Sequence, residues 1–151
     1  MDPPAAAKEM IAAVAIDTNA YSGFRRGNPE LVEVFGRVPR LIVPLVVIAE
    51  LLAGFAGGKR TQRNRAELKT FLASPRVELA LPDRQTAEGY AEIYQQLRRD
   101  GRPIPTNDIW VAAAALQATV PLITLDAHYR FVANLRSASG LSQLLGTVRR
   151  R

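Results

Sequence analysis

The stretch AVAIDTNAYSG, Ala13 to Gly23, decides how this chain is read. A short continuous apolar run, Ile11 to Ile16, ends abruptly on a carboxylate, Asp17. Such a run reads as a strand buried on both faces. The polar residues after it, Asp17, Thr18 and Asn19, read as a strand end or helix cap, because their side chains bond free backbone N–H groups. The small residues that follow, including Gly23, read as a turn. On its own, the charge at Asp17 needs no functional explanation.

The same pattern recurs along the chain. RLIV (40–43), RVELAL (76–81) and PLITLD (121–126) are further short apolar strands, and HYRFVANL (128–135) is read as holding a turn and a fifth. Between them lie helical patterns. NPELVEVFGR opens on Asn28 as cap and Pro29. PLVVIAELLAGFAG opens on Pro44 and closes on glycines. KRTQRNRAELKTFLASP is polar, with Leu68, Phe71 and Leu72 on one face. DRQTAEGYAEIYQQLRRDG has Asp83 as cap and Gly101 beyond its end. TNDIWVAAAALQATV is Ala-rich and largely buried, with Thr106 or Asn107 as cap. Alternating helices and apolar strands predict an α/β fold with a parallel sheet covered on both sides. In such folds the crevice lies outside the carboxyl ends of the strands. Asp17 and Asp126 both end strands there.

Composition narrows the chemistry. With 151 residues, no internal repeat and no long linker, the chain is read as one domain over 1–151, loose at about 1–9 and 147–151. It has no cysteine and one histidine, which disfavours disulfides, zinc sites and Cys–His catalysis. His128 beside Asp126 lacks a serine nucleophile for a triad and reads as an ordinary surface or core residue. The start, MDPPAAAKEM, has no secretory pattern, and the apolar stretches are too interrupted for a membrane span. A cytoplasmic protein is expected. The net charge of +6 favours a polyanionic partner. Two basic runs are candidates for phosphate contact: GGKRTQRNR, with Arg60 and Arg63, and LRRDGR, with Arg98, Arg99 and Arg102. The first, polar and led by glycines, is expected to project from the body.

Two more acids stand in unusual places. Glu50 interrupts the apolar helix LVVIAELLAGF, with no basic partner at helical spacing, so burying it unpaired would be costly. Asp108 falls in the first turn of the Ala-rich helix, where it also suits the helix dipole. If Asp17, Glu50, Asp108 and Asp126 converge, their mutual repulsion calls for a hard cation with oxygen ligands, Mg2+ or Mn2+.

IDTNAYSG, VPLVVIAELLAG, PTNDIWVAAAAL and LITLDAHY occur in the order that resembles PIN-domain ribonucleases, and more narrowly VapC-type toxins of toxin–antitoxin pairs. The resemblance runs from about Ala13 to Val132. It implies a three-layer α/β/α sandwich, and a catalytic, metal-binding quartet at Asp17, Glu50, Asp108 and Asp126. Asn19 and Thr106 fall on supporting polar positions at the rim. It further implies a metal-dependent endoribonuclease acting on tRNA or rRNA, a homodimer, and neutralisation by a small antitoxin. Arg60, Arg63 and Arg102 are candidate RNA contacts. The alternatives are a metal-dependent phosphatase or exonuclease of similar topology, and a non-catalytic RNA- or protein-binding module.

Overall fold

The computed structural model describes residues 11–146. The expectation of loose ends at about 1–9 and 147–151 lies outside the described residues. Five parallel strands form one sheet in the order β3-β2-β1-β4-β5: β1 (Ala13–Ile16), β2 (Arg40–Pro44), β3 (Val77–Ala80), β4 (Leu122–Ile123) and β5 (Ser137–Ala138). All four residues of β1 are buried. Successive strand side chains point to opposite faces, so helices cover this strand on both sides. The α/β/α layering expected from sequence is present. The chain builds outward from β1 to β2 and β3, then crosses back to add β4 and β5 on the other side. The switch point therefore lies between β1 and β4, where a parallel sheet opens a crevice at its carboxyl edge.

Among the described residues, six α-helices lie between the strands, α1 (Thr18–Arg25), α2 (Pro29–Arg37), α3 (Leu45–Ala56), α4 (Thr61–Leu72), α5 (Arg84–Arg99) and α6 (Thr106–Ala118), and α7 (Leu141–Gly146) follows β5. Asp83 caps α5 in a capping box with Thr86, and Gly101 beyond it takes φ +65°. Asn28 caps α2 by accepting from the Glu30 and Leu31 amides.

The structure corrects several expectations. The Gly-containing stretch after Asp17 is helix α1, not a turn. Gly23 is there for close packing, since a Cβ on it would stand 2.5 Å from Leu31 Cδ1 of α2. Residues 128–135 hold no strand. They carry a 3-10 helix, Ala127–Phe131, and the fifth strand follows at Ser137–Ala138. Thr106 does not cap α6, because Pro105 occupies the cap position and no side chain bonds there. The basic run at the start of α4, with Arg60, Arg63 and Arg65, is exposed, while the second half of the helix packs against the body. Leu68 is buried, and Phe71 joins an aromatic cluster with Tyr21, Phe24 and Phe35 that pins α4 against α1 and α2.

Candidate metal centre at the switch point

Asp17 lies at the end of β1 and is 4% exposed. It does two jobs that the sequence presents as alternatives. As N-cap of α1, its Oδ1 accepts from the Thr18 amide at 2.8 Å. Its Oδ2 accepts from the Thr124 hydroxyl at 2.8 Å, across the switch point. Burial raises the Asp17 carboxyl above its ordinary value; the Thr124 and Thr18 hydrogen bonds pull it down, and the charges of Asp108 and Glu50 add to the rise. These two acids are close enough for their fields to reach Asp17.

Glu50 sits on α3, half-buried, and its Oε1 accepts from the Thr18 hydroxyl at 2.9 Å. The acid without a basic partner on its own helix is thus held by a neutral donor from α1. Asn19 supports the other strand end: its Oδ1 accepts from the Leu125 amide at 2.9 Å and lies 3.3 Å from the Thr124 hydroxyl.

Asp108 and Asp126 are joined by a residue that the sequence reading set aside. His128 Nε2 lies 2.7 Å from Asp108 Oδ2, and His128 Nδ1 lies 2.7 Å from Asp126 Oδ1. Asp126 also caps the 3-10 helix by accepting from the His128 amide at 3.1 Å. It stands three residues beyond β4, one turn later than its expected place at the strand end. Carboxylates accept and do not donate. Each imidazole nitrogen therefore has to offer its neighbouring carboxylate a proton or a cation.

Tyr129, also unmarked in sequence, is wholly buried. Burial, then the charges of Asp17 and Asp108, hold its phenol well above its ordinary value. Its hydroxyl finishes beside these carboxylates without completing a hydrogen bond.

This donor set fits a divalent cation. One ligand atom each from Asp108, Asp126 and His128 lie within 4.8 Å of one another. A buried carboxylate and an unpaired buried hydroxyl stand beside them, which a cation at this point would compensate. Two oxygen donors and one imidazole suit a hard or borderline ion.

The structure thus gathers Asp17, Glu50, Asp108, Asp126 and Asn19 around one crevice. Thr106 is not among them: it is exposed and makes no hydrogen bond to the acids. Arg60 is exposed at the start of α4. Arg63 pairs with Glu67 at 3.1 Å, and Glu67 also takes Arg25 at 2.9 Å. Arg102 lies with its guanidinium 4.6 Å from the centre of the Phe131 ring. Thr18, Thr124, His128 and Tyr129 are the residues that sequence reasoning missed. The alternation Thr124, Asp126, His128 beyond a strand was the available signal.

A parallel sheet with acids converging at its switch point defines a class, and the PIN domain family matches residues 14–135. The chain belongs to that family. Within it, the chain is 29% identical over 113 residues to ribonuclease VapC1 of Haemophilus influenzae strain R2866, covering 72% of this chain and 83% of that protein. VapBC-1 from nontypeable Haemophilus influenzae superposes with a TM-score of 0.74 at 24% identity, covering 83% of this chain and 96% of that one. VapBC-5 from Mycobacterium tuberculosis, a member of the VapBC family of toxin–antitoxin systems, superposes with a TM-score of 0.63 at 26% identity, covering 84% and 96%.

Proposed function

We propose that this chain is a Mg2+-dependent endoribonuclease, the toxin of a type II toxin–antitoxin pair. The observation that carries the reading is the convergence of four carboxylates at the β1/β4 switch point, with His128 bridging two of them. Asp108 and Asp126 would hold a divalent cation, with His128 beside them, and the ion would supply Lewis-acid charge for a scissile phosphate oxygen and lower the pKa of a bound water. Asp17, fixed by Thr124 and the Thr18 amide, supplies buried negative charge with no freedom to rotate. Glu50 uses Oε1 on Thr18, which leaves Oε2 as the oxygen that would take a proton from the attacking water. In-line attack leaves a 5′-phosphate and a 3′-hydroxyl.

The relatives' names support the ribonuclease and toxin roles, and the antitoxin is the protein partner they imply. The chain acts as one domain, in the cytoplasm, on structured RNA of the tRNA or rRNA class. Among the described residues no helix is long and apolar enough to cross a membrane. An apolar cavity of about 470 Å³, walled by Leu45, Leu81 and Trp110, leaves large side chains on the surface. That surface supports the homodimer.

The test is cleavage of total RNA with Mg2+, with Mn2+ and with EDTA, followed by end mapping. Internal cuts that need metal and leave 5′-phosphates are expected. Release of mononucleotides from ends alone would favour an exonuclease instead. Intact RNA under all conditions would leave only the binding module.

A further inference from the structure

The two basic runs differ in how their charge is used. On α4, Glu67 neutralises Arg63, and reaches Arg25 as well. Around the end of α5, Arg98, Arg102 and Arg130 have no carboxylate within 4.0 Å among the described residues. Unpaired guanidinium groups close to one another repel, and a polyanion relieves that repulsion. Arg102 and Arg130 stand over the same ring, Phe131, at 4.6 and 4.9 Å from its centre.

Beside them is a second cavity, of about 350 Å³. Its size is in the lower part of the range for small-ligand sites, roughly 300–1,000 Å³. Buried Leu97 and Ile109 form the floor. Tyr94, Ile104, Arg98 and Thr106 stand around it. Tyr94 is 40% exposed and already has one ring neighbour, Tyr90, at 6.4 Å between centres and nearly parallel, so a base would extend that stack. Arg98 Nη1 lies 3.4 Å from the Tyr94 hydroxyl, which places a cation at the edge of that ring. The Thr106 hydroxyl caps nothing and hydrogen-bonds to nothing among the described residues. Apolar floor, aromatic wall, free hydroxyl and unpaired guanidinium match the parts of a nucleotide: base face, base edge and phosphate.

The cavity and the metal centre are carried by shared elements. Thr106 and Ile109 line the cavity from the first turn of α6, and Asp108 leaves the same turn on another side of the helix. Gln96 of α5 clamps the 3-10 segment, donating to the Phe131 carbonyl at 2.9 Å and accepting from the Ala133 amide at 3.0 Å. That segment, Ala127–Phe131, carries His128. Resting on the ribonuclease reading above, we propose that the cavity between Tyr94, Arg98, Ile104 and Thr106 is a subsite for one unstacked nucleotide of the RNA, flanking the bond that is cut.

The test uses the full chain carrying Asp17→Asn, so that RNA is held uncut, and RNA oligomers with 4-thiouridine tiled through a mixed sequence. Photo-crosslinks mapped by mass spectrometry are expected at Tyr94 and in the 97–106 segment. Adding Ile104→Trp, which fills the cavity, should lower those crosslinks about tenfold, the scale of losing one base stack. The metal-induced rise in melting temperature should match that of Asp17→Asn alone. In the otherwise wild-type chain, Tyr94→Ala should flatten the nucleotide preference next to the cut. Crosslinks confined to α4 and the glycine loop would overturn the subsite. So would an unchanged crosslink yield and cut pattern in the filled cavity. If Tyr94→Ala and Ile104→Trp weaken assembly with the antitoxin and leave RNA contacts unaltered, the occupant is protein and the proposal falls. Crosslinks at the cavity, with wild-type protein that never cuts RNA, would keep the subsite and sink the nuclease reading instead.

Discussion

The four carboxylates fall into two pairs that are held by different means. Asp17 and Glu50 are held by neutral donors: Thr124, Thr18 and a backbone amide. Asp108 and Asp126 are held by the two nitrogens of a single imidazole. Hydroxyls and amides give fixed geometry whether or not a cation is present. An imidazole bridge gives geometry that depends on what the nitrogens carry, a proton or a metal. On the proposed function, the first pair would serve as scaffold and the second would be the side that responds to a cation. Burial separates the extremes but not the pairs: Asp17 is 4% exposed and the Asp126 side chain 38%, while Glu50 and Asp108 are both half-buried. The centre is built from a rigid wall and an adjustable one, and they meet at the β1/β4 switch point.

The largest expected effect ignores the comparison, and the next exposes it. Asp17→Asn and Asp108→Asn should each cut RNA cleavage at least 100-fold, since losing even an outer partner of a metal ligand typically costs about 10–100-fold. Cleavage within tenfold of wild type in either variant would remove that residue from the centre. Stability without metal should then separate the two. Asp17→Asn replaces a buried charge with an amide whose oxygen still accepts from the Thr18 amide and whose NH2 can donate to the Thr124 hydroxyl, which then turns its proton to Asn19 Oδ1, so its melting temperature in EDTA should rise by a few degrees. In a domain of this size ~1 kcal/mol shifts the melting point by about 2–4 °C. Asp108→Asn gives up a charge facing His128 and should show no such rise. Equal rises in both variants would erase the distinction between the walls.

His128→Gln tests the adjustable side directly. Metal affinity, read by calorimetry or Mn2+ electron paramagnetic resonance, should fall about 10–100-fold. The loss should be greater for Mn2+ than for Mg2+, because imidazole favours the transition ion. An equal loss for both ions would mean that His128 orients the acids without ligating. Retained affinity would make it a bystander, as its sequence context suggested.

What the sequence displayed and what it hid follow the same division. Apolar runs ending in acids were legible, because burial on both faces leaves few polar residues to confuse the pattern. Asp17, Glu50, Asp108 and Asp126 stood out for that reason. Their partners did not, because Thr18, Thr124 and His128 are ordinary residues until tertiary packing brings strands β1 and β4 together. The hydrogen bond from Thr124 to Asp17 spans 107 positions, which no local pattern encodes. Helix α1 was hidden because Gly23 reads as a turn in sequence, while its real constraint is Leu31 of the next helix. The third missed point is charge pairing. Arg63 and Arg102 look alike in sequence, and only the fold shows that Glu67 takes the first and Phe131 the second.

Thr124→Val tests the rigid wall at smaller scale. It keeps the shape and removes the hydroxyl, leaving Asp17 Oδ2 and the Asp126 amide without that partner, while Asn19 Oδ1 keeps the Leu125 amide. Unsatisfied buried groups cost about 1–3 kcal/mol, so a melting point lower by several degrees is expected. Thr124→Ser should recover most of the loss. If Ser fails to do so, the effect belongs to packing rather than to the hydrogen bond.

The smallest effect is the dependence of stability on pH. Asp17 has its carboxyl raised, chiefly by burial, from an ordinary value of 3.8. Between 3.8 and the higher folded value, the folded chain binds more protons at this site than the unfolded chain does. Stability from Asp17 must then fall as pH rises through that window and level off above it. Exposed acids act in the opposite sense. Asp83, Glu67 and Glu78 are lowered by hydrogen bonds, from the Thr86 amide, Arg63 and Arg40 respectively, and lose stability as pH falls. The total profile mixes both signs, so the measurement has to be a difference. Denaturant melts of wild type and Asp17→Asn in EDTA, taken from acid to neutral pH, isolate the one group. The variant's advantage should be smallest in acid, where wild-type Asp17 carries its proton, and should grow with pH until Asp17 is fully ionised. A constant offset would mean that Asp17 is no more costly to ionise in the fold than in the unfolded chain. The rigid wall would then hold its charge without strain, and the contrast between the two pairs would rest on His128 alone.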